Sequence, residues 1–140
     1  MTTIACDGKV MAADSRQVGS YIHPVDCKKI FKFKNYVIGF AGELDAIKQF
    51  LDWFKLGADE KQWSISENAQ VEALVSDGSG DLYHYCTSPT PVYCGRMAAI
   101  GSGGDFAMAA MLAGANARRA VSIAAELDIN TGGKIITRKI

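Results

Sequence analysis

Residues 30–42 read IFKFKNYVIGFAG, a hairpin pattern whose second arm is almost wholly apolar. Lys34 and Asn35 interrupt the apolar run, which predicts a turn between strands at residues 30–33 and 36–41. A strand without polar alternation is typical of burial on both faces. The second arm is therefore predicted to lie between two packed layers.

A helix is predicted directly after this hairpin, at residues 45–56. Its apolar side chains recur at the helical spacings i, i+3, i+4 and i+7, so they form one stripe along the helix. The stripe consists of Ile47, Phe50, Leu51 and Phe54. Gly57 is expected to end the helix.

The rest of the chain continues the pattern of hairpins and helices. Further strands are predicted at residues 2–6, 9–13, 69–76, 81–86, 97–100 and 134–140, and further helices at 105–113 and 117–128. Asp7 and Gly8 predict a type I′ turn, and Asn116 is expected to cap the last helix. Among the α+β arrangements that fit, we predict a four-layer αββα sandwich of two mainly antiparallel sheets.

Composition excludes several classes of function. The 140 residues fit one domain, residues 1–140, with the 49% apolar and 21% charged side chains of an ordinary globular protein. Fifteen basic residues balance fifteen acidic ones, so no basic excess supports nucleic-acid binding. No apolar run is long enough for a membrane helix, and the first residues do not resemble a signal peptide. We therefore expect a cytoplasmic protein.

The cysteines and histidines do not suggest a metal centre. The chain has four cysteines, which are Cys6, Cys27, Cys86 and Cys94. They form no CxxC pair and are expected to be reduced thiols. His23 and His84 are isolated along the chain, so we predict no metal site and no cofactor.

Thr2 would become the N-terminal residue if Met1 were removed. A threonine hydroxyl is a weak nucleophile while it keeps its proton, but a free α-amine, with an unperturbed pKa of about 8, can accept that proton. Such a nucleophile requires no histidine. The alternative interpretation is structural, because Thr2 and Thr3 are also ordinary residues at the start of a strand.

Six short motifs follow one another along the chain. They are TTI at residues 2–4, AADSR at 12–16, KKI at 28–30, GFAG at 39–42, AIGSGG at 99–104 and ELDINTGG at 126–133. In this order they resemble the proteasome β-subunit family, the N-terminal-nucleophile hydrolases that include the bacterial peptidase HslV. The opening TTI is similar to HslV, whereas the DxxTGG pattern is similar to a proteasomal β-subunit. The resemblance extends over about residues 2–138.

The resemblance implies catalytic roles for four residues near the start of the chain. Thr2 would be the nucleophile, and Asp14 would be the acidic neighbour of Lys29. The Lys29 cation would favour both the neutral amine of Thr2 and the alkoxide that forms on attack. The backbone N–H of Gly42 would form the oxyanion hole. The structural alternatives are a turn cap for Asp14, a solvated strand lysine for Lys29 and a simple turn at Gly42.

Three residues from the second half of the chain complete the implied site. Ser102 would hydrogen-bond near the terminal amine, and Asp128 and Thr131 would orient that region. The glycines around Ser102 precede a helix and could instead bind an anion, but no Lys-Ser/Thr follows them, which argues against a phosphate loop. Asp128 and Thr131 could also serve only to end a helix.

Three features depart from the family pattern. Residues 57–68 are short where the family has a second long helix, so the middle helical region is shortened and the surfaces for rings and an ATPase are affected. The sequence ELD at residues 43–45 replaces small residues after Gly42, which places Glu43 at the rim of the site. Retention of Met1 would lock the Thr2 amine in a peptide bond and remove the general base.

The predicted function is a threonine peptidase that cleaves peptides or unfolded proteins. A self-assembled homo-oligomer, a ring or stacked rings, is expected to seclude the site, with an ATP-dependent unfoldase as the expected partner. Two alternatives stay open. One is a catalytically silent assembly or binding protein on the same fold, and the other is a small-molecule amidase that uses the same nucleophile.

Overall fold

The computed structural model describes residues 2–140, and Met1 lies outside the described residues. The strands of this part of the chain are β1 Ile4–Cys6, β2 Val10–Ala13, β3 Ile30–Phe33, β4 Tyr36–Gly42, β5 Val71–Ser76, β6 Leu82–Tyr85, β7 Val92–Gly95, β8 Ala98–Ile100 and β9 Ile136–Lys139. The helices are α1 Leu44–Lys55, α2 Gly104–Leu112 and α3 Ala117–Leu127, with a short 3-10 helix at Glu60–Gln62.

The strands form two sheets. One has four strands in the order β8-β1-β2-β9, and the other has five strands in the order β3-β4-β5-β6-β7. Each neighbouring pair is antiparallel. The predicted hairpins are therefore confirmed, and β1 occupies an interior position in the four-stranded sheet.

Three buried clusters separate four layers. Phe50 and Phe54 of α1 pack against Phe40 on the outer face of the five-stranded sheet. The second cluster fills the space between the sheets and contains Ile4, Met11, Val37 and Leu74. In the third, small residues let α2 and α3 lie close to the four-stranded sheet, and it includes Ala5, Ala12, Ala107, Ala120 and Ala124. The predicted αββα sandwich is confirmed.

Strand β4 shows why the apolar stretch could indicate the layers. Successive side chains of a strand point to opposite faces. Ile38 and Phe40 contribute to the cluster under α1, whereas Val37 and Ala41 contribute to the cluster between the sheets. Both faces of β4 are buried, so no position from Val37 to Ala41 could be polar without a partner.

The middle of the chain is short, as predicted. Helix α1 ends at Lys55, and Gly57 follows with a φ of +112°. Between α1 and β5, the described residues contain only the three-residue 3-10 helix rather than a second long helix. Trp63 from this segment covers Trp53, with ring centroids 4.8 Å apart, and the Trp53 Nε1–H donates to the Asp59 carbonyl at 2.8 Å. Side chains of an irregular segment thus close this end of the core.

Two local expectations were wrong. The first turn is not type I′, because Gly8 has a φ of +92° but Asp7 does not have a positive φ. Asp7 Oδ1 instead accepts hydrogen bonds from the backbone N–H groups of Lys9 and Val10. Strand β7 was not predicted, since Pro91 and the loop residues before it hide a short and half-exposed strand.

The connections bring the termini of several strands to one end of the sandwich. Thr2 lies two residues before β1, Asp14 follows β2, Lys29 precedes β3, Gly42 ends β4 and Ser102 follows β8. These positions are distant in sequence but adjacent in the fold. Within residues 2–140, none of the helices has both the length and the apolar content needed to cross a bilayer.

Candidate active site

The hydroxyl of Thr2 lies in a buried group with Asp14 and Lys29, called here the hydroxyl side of the site. Thr2 Oγ1 contacts both Asp14 Oδ1 and Lys29 Nζ. Lys29 Nζ lies 2.9 Å from Asp14 Oδ1 and donates to the Arg16 carbonyl at 2.7 Å. Thr2, Asp14 and Lys29 are 2%, 1% and 9% exposed. The three groups therefore interact with little screening by water.

Several hydrogen-bond donors stabilise the buried charge of Asp14. Its Oδ1 accepts from the Thr3 N–H at 3.0 Å, and its Oδ2 accepts from the N–H groups of Gly132 at 3.0 Å and Arg16 at 3.3 Å. A buried carboxylate is tolerated only when it is paired and hydrogen-bonded. Asp14 thus acts both as a cap for two loops and as the anion beside Lys29, so the two interpretations of this residue hold together.

Lys29 differs from its neighbour Lys28 in environment. Burial lowers the pKa of the Lys29 ammonium, and Asp14 opposes that effect. Lys28 is exposed, with its Nζ 4.8 Å from the centroid of the Phe31 ring. Alternation along the strand turns one lysine into the site and the other toward solvent. Lys29 therefore points into the site and does not occupy the solvated position of the structural alternative.

The backbone nitrogen of Thr2 faces a second group, called here the amine side. The Thr2 N–H donates to Ser102 Oγ at 3.1 Å, and Ser102 Oγ donates to Asp128 Oδ2 at 2.6 Å. Thr131 Oγ1 also donates to Asp128 Oδ2, at 2.6 Å, and lies 2.7 Å from Thr3 Oγ1. A continuous hydrogen-bond chain therefore connects the loop after α3 to the residues that begin β1.

Asp128 remains charged on this side at neutral pH. Burial tends to raise the pKa of its carboxyl, but hydrogen bonds from Ser102, Thr131 and the Asn130 N–H outweigh burial and leave the pKa below its ordinary value. An anion near the Thr2 nitrogen would favour a protonated amine there. The amine side and the hydroxyl side thus place opposite formal charges, Asp128 and Lys29, around one residue.

The loop after β8 packs against the backbone of Thr2. The Gly103 N–H donates to the Thr2 carbonyl at 3.2 Å, and a Cβ on Gly101 would overlap the same carbonyl. Gly101 also has a φ of +93°, which favours glycine. These contacts fit a loop that holds Thr2 in place and count against the alternative of an anion-binding loop.

Gly42 stands between two clefts and is required by its backbone conformation. Its φ is +126°, and a Cβ at this position would overlap the Gln70 carbonyl. The first cleft has a volume of about 490 Å³ and also contains Lys29 and Glu43. The second has a volume of about 450 Å³ and also contains Ser102. Gly42 therefore forms a shared wall of two clefts, one of which reaches Lys29 and the other Ser102.

The first cleft is mainly apolar around its wall. Its apolar lining side chains are Val18, Phe31, Phe40, Leu44, Ile47 and Leu51. Glu43 lies at its rim, as expected, and is held across the chain by Gln70: the Glu43 N–H donates to the Gln70 carbonyl at 2.8 Å, and Glu43 Oε1 accepts from the Gln70 N–H at 3.4 Å. The cleft can enclose an apolar side chain beside a fixed carboxylate.

Glu72 was not predicted as a site residue, and the prediction that His84 is isolated was wrong. Glu72 Oε2 accepts from the Gly101 N–H at 3.1 Å, so it supports the loop that holds Thr2. His84 is not isolated in space, because its Nε2 lies 3.6 Å from Glu72 Oε1 and 3.8 Å from Cys86 Sγ. The alternation His84-Tyr85-Cys86 places two donors on one strand face and could have signalled this cluster.

The seven residues implied by the resemblance thus lie at one end of the sandwich. Six of them are connected by hydrogen bonds through Thr2 or Asp128, and these are Thr2, Asp14, Lys29, Ser102, Asp128 and Thr131. Gly42 joins them as the shared wall of the two clefts. The arrangement can present a threonine hydroxyl to a carbonyl group held beside Gly42.

Comparisons with known proteins agree with this architecture. The family model described as "Proteasome subunit" matches residues 2–86, more than half of the chain. The fold is similar to that of Thiobacillus denitrificans BPH in complex with epoxomicin, with a TM-score of 0.73, 19% identity and coverage of 100% of this chain and 98% of that one. It is also similar to HslV from Trypanosoma brucei, with a TM-score of 0.72, 22% identity and coverage of 99% and 98%. No curated protein sequence matches the chain.

Proposed function

Because the chain belongs to the proteasome subunit family, we propose that it is a threonine peptidase that uses Thr2 Oγ1 as its nucleophile. The observation that carries this proposal is the contact of one hydroxyl with both Lys29 Nζ and Asp14 Oδ1, while the nitrogen of the same residue is bonded to Ser102. A threonine that only opens a strand has no need of a buried ion pair at its hydroxyl.

The reaction requires that the peptide bond before Thr2 be cleaved by processing. The freed amine then accepts the proton of Oγ1, and Oγ1 forms a bond to the carbonyl carbon of the substrate. The oxyanion is stabilised by the Gly42 N–H, while Lys29 stabilises the developing alkoxide. The amine passes the proton to the leaving nitrogen as the C–N bond breaks. Water, deprotonated by the same amine, hydrolyses the ester and restores the hydroxyl.

The two sides of the site divide the work of this mechanism. Lys29 acts at the hydroxyl, where its positive charge lowers the energy of the alkoxide. Ser102 acts at the amine, where it accepts a hydrogen from the Thr2 nitrogen, and Asp128 accepts from Ser102 and so fixes its direction. The amine is required to be neutral as a base, so Lys29 and Asp128 exert opposite influences on its protonation.

The substrate is proposed to be a peptide or an unfolded protein with an apolar side chain in the first cleft. Leu44, Ile47 and Leu51 supply apolar contacts there, and Gly42 leaves room for backbone approach. Specificity for an apolar residue is worth about 1–3 kcal/mol per methylene at most, which is moderate discrimination. Broad cleavage of unfolded chains fits this moderate selectivity.

Self-assembly is part of the proposal, since an unprotected peptidase would cleave indiscriminately. The homo-oligomer, a ring or stacked rings, is the arrangement that the family resemblance implies. Large apolar side chains on the surface support subunit contacts, and the four most exposed are Ile129, Leu56, Leu112 and Val25. A cytoplasmic location and an ATP-dependent unfoldase belong to the same proposal.

The test combines processing with chemistry. We expect the intact mass of the purified protein to show loss of the residue before Thr2, and epoxomicin, which is bound in the Thiobacillus denitrificans BPH structure, to add covalently at Thr2. Thr2→Ala should abolish hydrolysis of an apolar fluorogenic peptide, a loss of at least about 10³-fold. Thr90→Ala, at an exposed threonine, is the matched control and should keep full activity.

The outcomes separate the alternatives. Quantitative retention of a residue before Thr2 would overturn the proposal, because the base would be absent. A processed and folded protein without adduct or hydrolysis would favour the silent assembly protein. Hydrolysis of small amides without hydrolysis of peptides would favour the amidase. Full peptide hydrolysis by Thr2→Ala would place the nucleophile elsewhere.

A further inference from the structure

Three side chains of metal-binding types meet beside the second cleft, where β5 begins and β6 ends. Within residues 2–140, Glu72, His84 and Cys86 form a group whose ligand atoms all lie within 4.8 Å of one another. Glu72 and Cys86 line the second cleft together with Gly42 and Ser102. The group is therefore separate from the buried hydroxyl side but borders the same reaction space.

The sheet brings these side chains together on one face. Strands β5 and β6 pair with Leu74 opposite His84, so the continued register sets Glu72 opposite Cys86. Side chains two residues apart share a face of a strand. The face is the one that carries Leu74 toward the four-stranded sheet, and the cluster lies where that face meets the Gly101 loop.

The distances fit the first coordination shell of a tetrahedral ion. Zinc binds nitrogen and oxygen at about 2.0–2.2 Å and sulfur at about 2.3 Å, so ligand atoms around it lie about 3.3–3.8 Å apart. His84 Nε2 is 3.6 Å from Glu72 Oε1 and 3.8 Å from Cys86 Sγ. These two distances therefore match those between ligand atoms around one bound ion, and the third pair lies within 4.8 Å.

We propose that Glu72, His84 and Cys86 bind one zinc-class divalent cation, with a fourth coordination position open to the second cleft. The thiol, imidazole and carboxylate donors match zinc and its congeners cobalt and cadmium, whereas magnesium and calcium require oxygen ligands. The open position can hold water or a carbonyl or carboxylate oxygen of a peptide.

The ion is placed to inhibit hydrolysis reversibly, and this consequence rests on the proposed function. It occupies the cleft bounded by Gly42 and Ser102 and obstructs a peptide there. The ion also binds Glu72, whose Oε2 accepts a hydrogen bond from the Gly101 N–H next to Ser102. A free site therefore permits access to Thr2, and an occupied site restricts it.

Binding is tested first without any activity measurement. We expect the full chain to bind one zinc per protein by elemental analysis after gel filtration, and cobalt to give the near-ultraviolet charge-transfer absorption of a thiolate ligand. Magnesium should not compete. His84→Ala and Cys86→Ser should each weaken zinc by at least about 100-fold, because even loss of an outer-shell partner costs 10–100-fold.

His23→Ala and Cys27→Ser are the matched controls, since they change the other histidine and a cysteine of the first cleft. They should leave zinc affinity within about 3-fold of wild type, and thermal unfolding checks that each variant folds. Absence of thiolate absorption with cobalt, or unchanged affinity in both cluster variants, would overturn the site.

Activity is measured second, with zinc added to the processed protein. We expect zinc to inhibit peptide hydrolysis, a chelator to restore it, and Cys86→Ser to need at least about 100-fold more zinc. Zinc binding without any peptide hydrolysis would leave the site intact and count against the proposed function. Hydrolysis that zinc does not inhibit, in a protein that binds it, would overturn the inhibitory role.

Discussion

The hydroxyl side and the amine side of Thr2 both contain a carboxylate, yet their surroundings differ. Asp14 is buried and shares its charge among Lys29 and three backbone N–H groups. Asp128 is partly exposed and relies mainly on the hydroxyls of Ser102 and Thr131. Buried charges are costly to unpair, whereas exposed ones are screened by water. The hydroxyl side should therefore determine both stability and rate, and the amine side mainly rate.

Lys29→Met is the change with the largest expected effect, because it strands the Asp14 charge and removes a cation at the hydroxyl. Breaking a buried pair costs about 3–5 kcal/mol of unfolding free energy. Loss of one electrostatic group at a reacting oxygen costs about 10²–10³-fold in kcat. Denaturant unfolding and peptide hydrolysis measure the two effects.

Lys28→Met is the control for this experiment, since the adjacent lysine is exposed. It should change the free energy of unfolding by less than about 0.5 kcal/mol. Equal effects of the two substitutions on stability would contradict the distinction between a buried and a solvated lysine.

Asp128→Asn should have a smaller effect, confined largely to rate. The amide retains an oxygen acceptor for Ser102 or Thr131 but removes the negative charge near the Thr2 nitrogen. We expect kcat to fall by about 10- to 100-fold through loss of orientation. Stability should change by less than about 1 kcal/mol.

Asp105→Asn tests the specificity of that effect, because Asp105 is an exposed carboxylate in the first turn of α2. It should leave kcat unchanged. A loss of stability in Asp128→Asn as large as in Lys29→Met would remove the proposed difference between the two sides.

The smallest expected effect is the change in stability at acidic pH. The pKa of Asp128 is lowered in the folded protein, because its hydrogen bonds outweigh burial, so its contribution to stability is complete above the unfolded value near 3.8 and disappears as pH falls through the lower folded value. The difference in unfolding free energy between wild type and Asp128→Asn should therefore shrink between pH 6 and pH 3. Chemical denaturation at these two pH values measures it, and a constant difference would contradict the assigned hydrogen bonds.

The layers of the fold could be predicted from the sequence because they depend on local hydrophobic patterns. The apolar run Val37 to Ala41 required cover on both faces, and the stripe on α1 identified one of the covering helices. Strand β7 was missed because Pro91 directly precedes it and its four half-exposed residues are too few to show a strand pattern. The turn at Asp7 was wrong because side-chain hydrogen bonds, which spacing does not reveal, stabilised another conformation.

The candidate site likewise contains residues that the sequence motifs predicted and residues that they did not. The motifs pointed to Thr2, Asp14 and Lys29, and the fold brings them into contact although 27 positions separate the first from the last. Glu72 lies in no motif, and its link to Gly101 crosses between the two sheets. His84 looked isolated for the same reason, since its partner Glu72 comes from the neighbouring strand.

Strand β1, which follows the proposed nucleophile Thr2, is held more firmly in the sheet than its place near the start of the chain would suggest. Segments near a chain terminus commonly fray, but β1 is hydrogen-bonded along both edges, to β2 and to β8, and its three side chains are fully buried. The conformational entropy of Thr2 and Thr3 is therefore lost once, when the sandwich forms. In the proposed reaction, each later encounter with a substrate would then meet a hydroxyl whose direction is already fixed.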